Sequence, residues 1–246
     1  MEPDETRGPE DAVDRAYRSV RADVLAGRLA PGSPISQVKL ASMLGISRTP
    51  LREALNRIAA EGLIVADYNH RMRVSDLDLD DFDQIYAMRM ALEPMAIAAT
   101  VPRLAAVDRE MLHGAMSDME HAIATLDLEA FRVRHRAFHL GFVDLAGNRL
   151  RSALVDLWDH SERYRLAYLK HDYAAPNSAS LERLRLSQLE HAEMLDAADA
   201  GQAITCGEVL ERHLRRTVEG VYGEVGRHLA PGIRLRPGVG VVDDGR

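Results

Sequence analysis

Along the first 75 residues the apolar positions fall at helical spacing and are broken at short intervals by glycines. Ala16, Val20, Val24 and Leu25 share one face of a helix predicted over 12–26; Gly27 ends it, and Pro31-Gly32 makes a turn. Ser36 is placed to cap a short helix over 37–43, which Gly45 closes. Ser47 caps a third helix over 48–61, where Pro50 is acceptable because first-turn N–H groups have no partner inside a helix. Leu51, Leu55 and Ile58 face inward on it, and Arg48, Thr49 and Arg52 face outward. After Gly62, two β-type runs (63–66 and 72–75) flank a polar tip, which predicts a hairpin. Three helices and a hairpin within 12–75 are the order of a winged helix-turn-helix.

From Asp76 the pattern changes. Helical periodicity continues to about 228 with no strand pattern, and predicts six helices over 79–100, 105–126, 128–146, 149–171, 180–200 and 202–228. The fold class is therefore mainly α, a winged helix-turn-helix over 12–75 followed by an all-α antiparallel bundle over 79–228. Residues 172–179 read as a loop, and 1–11 and 229–246 read as flexible tails.

Composition narrows the function classes. The chain is 46% hydrophobic and 28% charged, and no run of apolar residues is long enough for a membrane span. The acidic N-terminus lacks the basic and apolar regions of a secretory signal, so the expected location is the cytoplasm. Cys206 is the only cysteine, which leaves no internal disulfide and no multi-cysteine zinc site. A net charge of −7 looks wrong for a nucleic-acid binder, but it is unevenly distributed: 12–75 holds ten lysines and arginines against five acidic residues. A basic module joined to an acidic one points to an anionic partner for the first module alone.

The stretch GRLAPGSPISQVKLASMLGISRTPLREALNRIAAEGLI resembles the DNA-binding domain of the GntR superfamily. The likeness is carried by Gly27, Pro31-Gly32, Leu40-Ala41, Leu44-Gly45, the run SRTPLREAL and Glu61-Gly62-Leu63. It implies major-groove contacts from Arg48, Thr49 and Arg52, with the wing tip (Asn69, His70, Arg71) near the minor groove. Arginine reads guanine through a bidentate contact, and Thr49 at a helix N-terminus suits a phosphate oxygen. The alternative for Arg48 and Arg52 is a solvated helix face, although two like charges four residues apart repel. Val38 stands where an arginine contact occurs in the family, so no contact is assigned to it.

The second half resembles the FCD-type effector domain of FadR-like members of that superfamily, through YAMRMALEPMAIAA, FRVRHRAFHLGFVDLAGN, and EHAEML followed by ERHL. Many such domains hold a divalent metal with an aspartate, a histidine four residues later and two further histidines. By that match His139, His191 and His213 are ligands, and His135 stands in the aspartate's place. Four imidazoles leave an M²⁺ ion with its full +2 charge. They suit Zn²⁺ or Ni²⁺, and also Co²⁺ or Cu²⁺, better than Mg²⁺ or Ca²⁺. That charge favours an anionic effector, such as an organic acid. The family uses Arg89 to anchor an effector carboxylate; an i,i+4 salt bridge with Glu93 is the alternative reading. Tyr164 and Arg165 lie on a helix that lines the pocket in the family, and either could face inward.

The resemblance implies a homodimeric repressor that binds double-stranded DNA at an inverted-repeat operator and changes affinity when a small molecule binds. Two rivals stand beside it. One is a regulator for which the metal itself is the signal. The other is a helical metalloenzyme, against which Arg136, Ala137 and Phe138 occupy the positions where HExxH carries its catalytic glutamate.

Overall fold

The computed structural model describes residues 9–66, 71–174 and 178–228, and side chains over 12–66, 71–167 and 182–223. The chain divides into two compact units between Asp78 and Leu79. In the first, α1 (Pro9–Leu25), α2 (Gln37–Leu44) and α3 (Arg48–Ala60) precede β1 (Ile64–Ala66) and β2 (Met72–Val74). The two strands are antiparallel, with Ile64 opposite Val74 and Ala66 opposite Met72.

The local signals explain the boundaries. Ser36 accepts from the Lys39 N–H, and Gly45 ends α2 in the left-handed conformation at φ 63°. Helix α1 begins at Pro9, so 9–11 are helical where the sequence suggested a tail; a proline fits the first turn because its missing N–H is one the helix does not use. The wing gains a third edge, since the Ile35 N–H bonds the Met72 carbonyl and the Val74 N–H bonds the Ser33 carbonyl. Gly32 is favoured there by its φ of +73°, a conformation that L side chains rarely adopt.

The core of this unit joins Ala16, Val20 and Val24 of α1 to Leu51, Ala54, Leu55 and Ile58 of α3 and to Leu63, Ile64 and Val74. Glu61, just beyond α3, accepts from the Tyr17 hydroxyl (2.5 Å) and from Arg21 Nε (2.6 Å), locking the end of α3 onto α1.

The second unit comprises α4 (Leu79–Thr100), α5 (Ala106–Ala124), α6 (Leu128–Gly141), α7 (Asn148–Ala174), α8 (Ser178–Asp199) and α9 (Ala203–His228). A single 3₁₀ turn at Val101–Arg103 follows α4. Helix α4 packs on α7 and α9, α5 on α6, and α8 on α9. Helix α6 stops at Gly141, shorter than the predicted 128–146. There α5 and α6 approach so closely that a Cβ on Gly141 would meet the Leu112 side chain at 2.8 Å. The turn that follows buries Phe142 and Val143. The loop expected at 172–179 is shorter, because 172–174 belong to α7 and 178–179 to α8; 175–177 lie outside the described residues. The polar tip at 67–70 and the tails over 1–8 and 229–246 also lie outside them.

Leu55 is fully buried between α1 and α3. We expect Leu55→Ala to cost about 2–5 kcal/mol in denaturant unfolding. Val38→Ala, at a site 67% exposed, should change stability by less than about 0.5 kcal/mol.

Candidate metal and effector site

Helix α6 carries His135 and His139 one turn apart, so both rings emerge from the same face. Helices α8 and α9 bring His191 and His213 to meet them. All four rings are buried, 0–5% exposed, and their candidate ligand nitrogens lie within 4.8 Å of one another. His139 Nε2 is 3.1 Å from His135 Nε2 and 3.2 Å from His191 Nε2. A tetrahedral Zn²⁺ with bonds of about 2.0–2.1 Å would set its nitrogens about 3.3–3.4 Å apart. The residues present therefore fit a divalent transition metal.

Electrostatics agree. Burial holds the imidazoles of His135, His139 and His191 well below their ordinary value of 6.5, and neighbouring charges, Arg165 among them, push the same way. Burial also lowers His213, against an opposing pull from Glu190. Neutral imidazoles are the ligating form.

The outer edges of the rings are bonded too. His191 Nδ1 lies 2.6 Å from Gln188 Oε1, and His213 Nδ1 lies 3.2 Å from Glu190 Oε2. Burial alone would raise the Glu190 carboxyl, but hydrogen bonds from His213 and Arg216 outweigh it and hold it at about 2. Arg165 Nη1 is 2.9 Å from His135 Nδ1 and 2.7 Å from Glu162.

Beside the histidines, Arg89 is almost fully buried, bonded to Glu93 Oε1 at 2.5 Å and to Ser161 Oγ at 2.9 Å. Its guanidinium lies 4.6 Å from the centre of the Trp158 ring, and that ring is 4.8 Å from His139. Arg89 Nη2, Trp158 Nε1, the Tyr86 hydroxyl and His139 Nδ1 are buried without a hydrogen-bond partner. Unsatisfied buried polar atoms cost about 1–3 kcal/mol each, and several in one place call for a ligand that completes them.

Comparison with known proteins decides the family. Residues 12–74 match the family described as bacterial regulatory proteins, gntR family, and residues 84–216 match the FCD domain. This chain belongs to the FCD-domain regulators of the GntR family.

Individual relatives agree. An HTH-type transcriptional regulator of Bacillus subtilis (strain 168), YdhC, is 30% identical over 57% of this chain and 63% of its own length. The HTH-type transcriptional repressor GlaR of Escherichia coli (strain K12) is 26% identical over 80% of this chain and 90% of its own. The structure of E. coli McbR/YncC superposes with a TM-score of 0.77 over 87% of this chain and 98% of that one; at 22% identity this speaks for the fold. These relationships identify a transcription regulator and not an enzyme, so the metalloenzyme reading falls.

In this GntR-family regulator Arg48, Thr49 and Arg52 are exposed along the start of α3, and Arg71 is exposed beside β2. His70 and Asn69 lie outside the described residues. The structure gathers His135, His139, His191, His213, Arg89 and Arg165 into one region. The salt bridge from Arg89 to Glu93 is present, and one guanidinium nitrogen remains over. Tyr164 is buried but directs its hydroxyl to Asp81 Oδ2 at 2.7 Å.

Sequence reasoning passed over Trp158, Ser161, Gln188 and Glu190. Gln188 had a signal, lying within one helical turn of His191, where a partner for a ligating ring is to be sought; Glu190 bonds His213, 23 residues away, and had none. Cys206, buried with its thiol pushed up to about 12, is a core residue.

Acid should destabilise the ion-free helical unit. The four imidazoles stay neutral when folded and gain protons only on unfolding, so stability present above pH 6.5 is lost as pH falls below it. Each contributes a slope of up to about 1.4 kcal/mol per pH unit. We expect the thermal midpoint of chelator-treated protein, followed by circular dichroism, to fall between pH 7 and pH 5. A flat profile would contradict the burial of four neutral rings.

Proposed function

We propose that this regulator is a cytoplasmic homodimeric repressor of an inverted-repeat operator, controlled by a small carboxylate bound beside a divalent ion in the helical unit. The observation that carries the control site is the pairing of four inward-facing buried imidazoles with the unpartnered N–H of Arg89 and its neighbours. Of histidines 135, 139, 191 and 213, three would suffice to hold Zn²⁺ or Ni²⁺ with an open position for an oxygen ligand, and the bound ion would supply a fixed positive charge. Arg89 Nη2 and Trp158 Nε1 would then donate to the acid's oxygens, completing donors the fold leaves spare. The burial of all four rings favours a resident ion over one that is itself the signal.

On the DNA side, Arg48 and Arg52 make no ion pair among the described residues, although they are like charges one turn apart. The Ser47 side chain makes no cap hydrogen bond, which leaves first-turn N–H groups for a phosphate. Arg48, Thr49 and Arg52 would enter the major groove, with Arg71 and His70 along the wing. An effector that binds one DNA-affinity state better than the other shifts that equilibrium, and by linkage DNA shifts effector affinity by the same factor.

The test uses an operator selected from random duplexes with wild-type protein. Arg48→Glu with Arg52→Glu should weaken binding at least about 30-fold, since each base contact contributes about 1–3 kcal/mol. The thermal midpoint should be unchanged. Arg89→Met should still bind the operator but should no longer respond to a carboxylate that releases the wild type. Operator binding that survives the charge reversal would remove the DNA-binding assignment, and a normal carboxylate response in Arg89→Met would remove the effector site.

A further inference from the structure

The four histidines differ in what holds their outer nitrogens. Gln188 Oε1 faces His191 Nδ1, and the Glu190 carboxylate faces His213 Nδ1. Both partners accept, so both Nδ1 atoms carry the ring proton and both Nε2 atoms turn a lone pair to the centre. A metal-bound imidazole needs this arrangement. At His135 the polarity is reversed. Its Nδ1 faces Arg165 Nη1 at 2.9 Å, and a guanidinium has only N–H groups to offer. The nitrogen must accept, and the proton of the neutral ring then sits on Nε2. That atom points at His139 Nε2, 3.1 Å away. A protonated nitrogen has no lone pair for a metal.

His135 sits off-centre among the other three rings. The centroids of His139, His191 and His213 form a nearly equilateral triangle with sides of 5.1, 5.1 and 4.6 Å. His135 lies 4.5 Å from His139 and 5.0 Å from His191, but 6.2 Å from His213.

We infer that His135 is not a fourth ligand but a hydrogen-bond donor, fixed in its Nε2–H form by Arg165 and aimed at an oxygen atom of the ligand that completes a three-histidine metal centre. The inference rests on the metal reading above and sharpens it. Arg165 is a positioning residue, itself held by Glu162 at 2.7 Å. The ligand this geometry selects has an anionic oxygen, which accepts from the His135 N–H while it takes the open position. An amine nitrogen in that position would set its own N–H groups against the donor. With Arg165 paired to Glu162 and Arg89 to Glu93, the ion's charge keeps the centre attractive to an anion.

The experiment is a long-range proton–nitrogen spectrum of the histidines in the Zn²⁺-loaded full chain, beside Zn²⁺ affinities from chelator competition. Three rings should carry metal-bound Nε2 and protonated Nδ1. A fourth, absent in His135→Phe, should be protonated at Nε2 with a bare Nδ1. His135→Phe should lose no more than about 10–100-fold in Zn²⁺ affinity, the range of an outer-shell change. His191→Phe should lose far more. In Arg165→Met the His135 proton should move to Nδ1, freeing Nε2 to join the metal. Four metal-bound rings in the wild type, or equal losses in His135→Phe and His191→Phe, would overturn the inference and leave the metal centre standing. A wild-type chain that takes up no Zn²⁺ would overturn both.

Discussion

Imidazole nitrogens 3.1–3.2 Å apart and closed off from water must each be met by an N–H of a neighbouring ring or by a cation. The helical unit is organised around that constraint. Protons could supply the charge, but burial and neighbouring guanidinium groups disfavour them on every one of the four rings. A bound cation is the proposed partner for the lone pairs that ring N–H groups leave over. Around it the fold places acceptors behind His191 and His213 and donors at Arg165, Arg89 and Trp158, so that each helix of the site contributes a named polar group. The apolar core, with Phe131, Phe138, Phe142 and Leu154 buried nearby in the chain, keeps water from competing with those groups.

The division of charge along the chain corresponds to a division of labour. Arg48 and Arg52, which make no ion pair among the described residues, stand at the start of α3 in the basic winged unit, where a helix N-terminus already favours anions. In the acidic helical unit, buried Arg89 is paired with Glu93 and buried Arg165 with Glu162, and the half-exposed Arg136 is paired with buried Asp159. A buried pair of this kind contributes little net stability. It does fix donor directions, which suits the proposed recognition of a small anion.

How much of this was legible in the sequence varied with the range of the interaction. The winged unit was read almost to the residue, because Ser36, Gly45 and Gly62 act within one turn of their own positions. The histidine set was legible through the i,i+4 pair on α6 and the family likeness, and all four rings do meet. What escaped was the rotational phase of α7. Residues 161–165 are all buried, so no polar face marks which side meets α6 and which meets α4. That is why Tyr164 and Arg165 were left equal, though one bonds Asp81 and the other His135. Trp158 was missed for the same reason. Helix ends set by close packing, such as Gly141 against Leu112, carry no local mark either.

The most direct test of the account is the metal content of the full chain, purified without a histidine tag or chelator and measured by plasma mass spectrometry. The account predicts about one Zn²⁺ or Ni²⁺ per chain, with His191→Ala empty under the same conditions. Wild-type protein that is metal-free as purified, and still empty after incubation with Zn²⁺ and Ni²⁺, would contradict it.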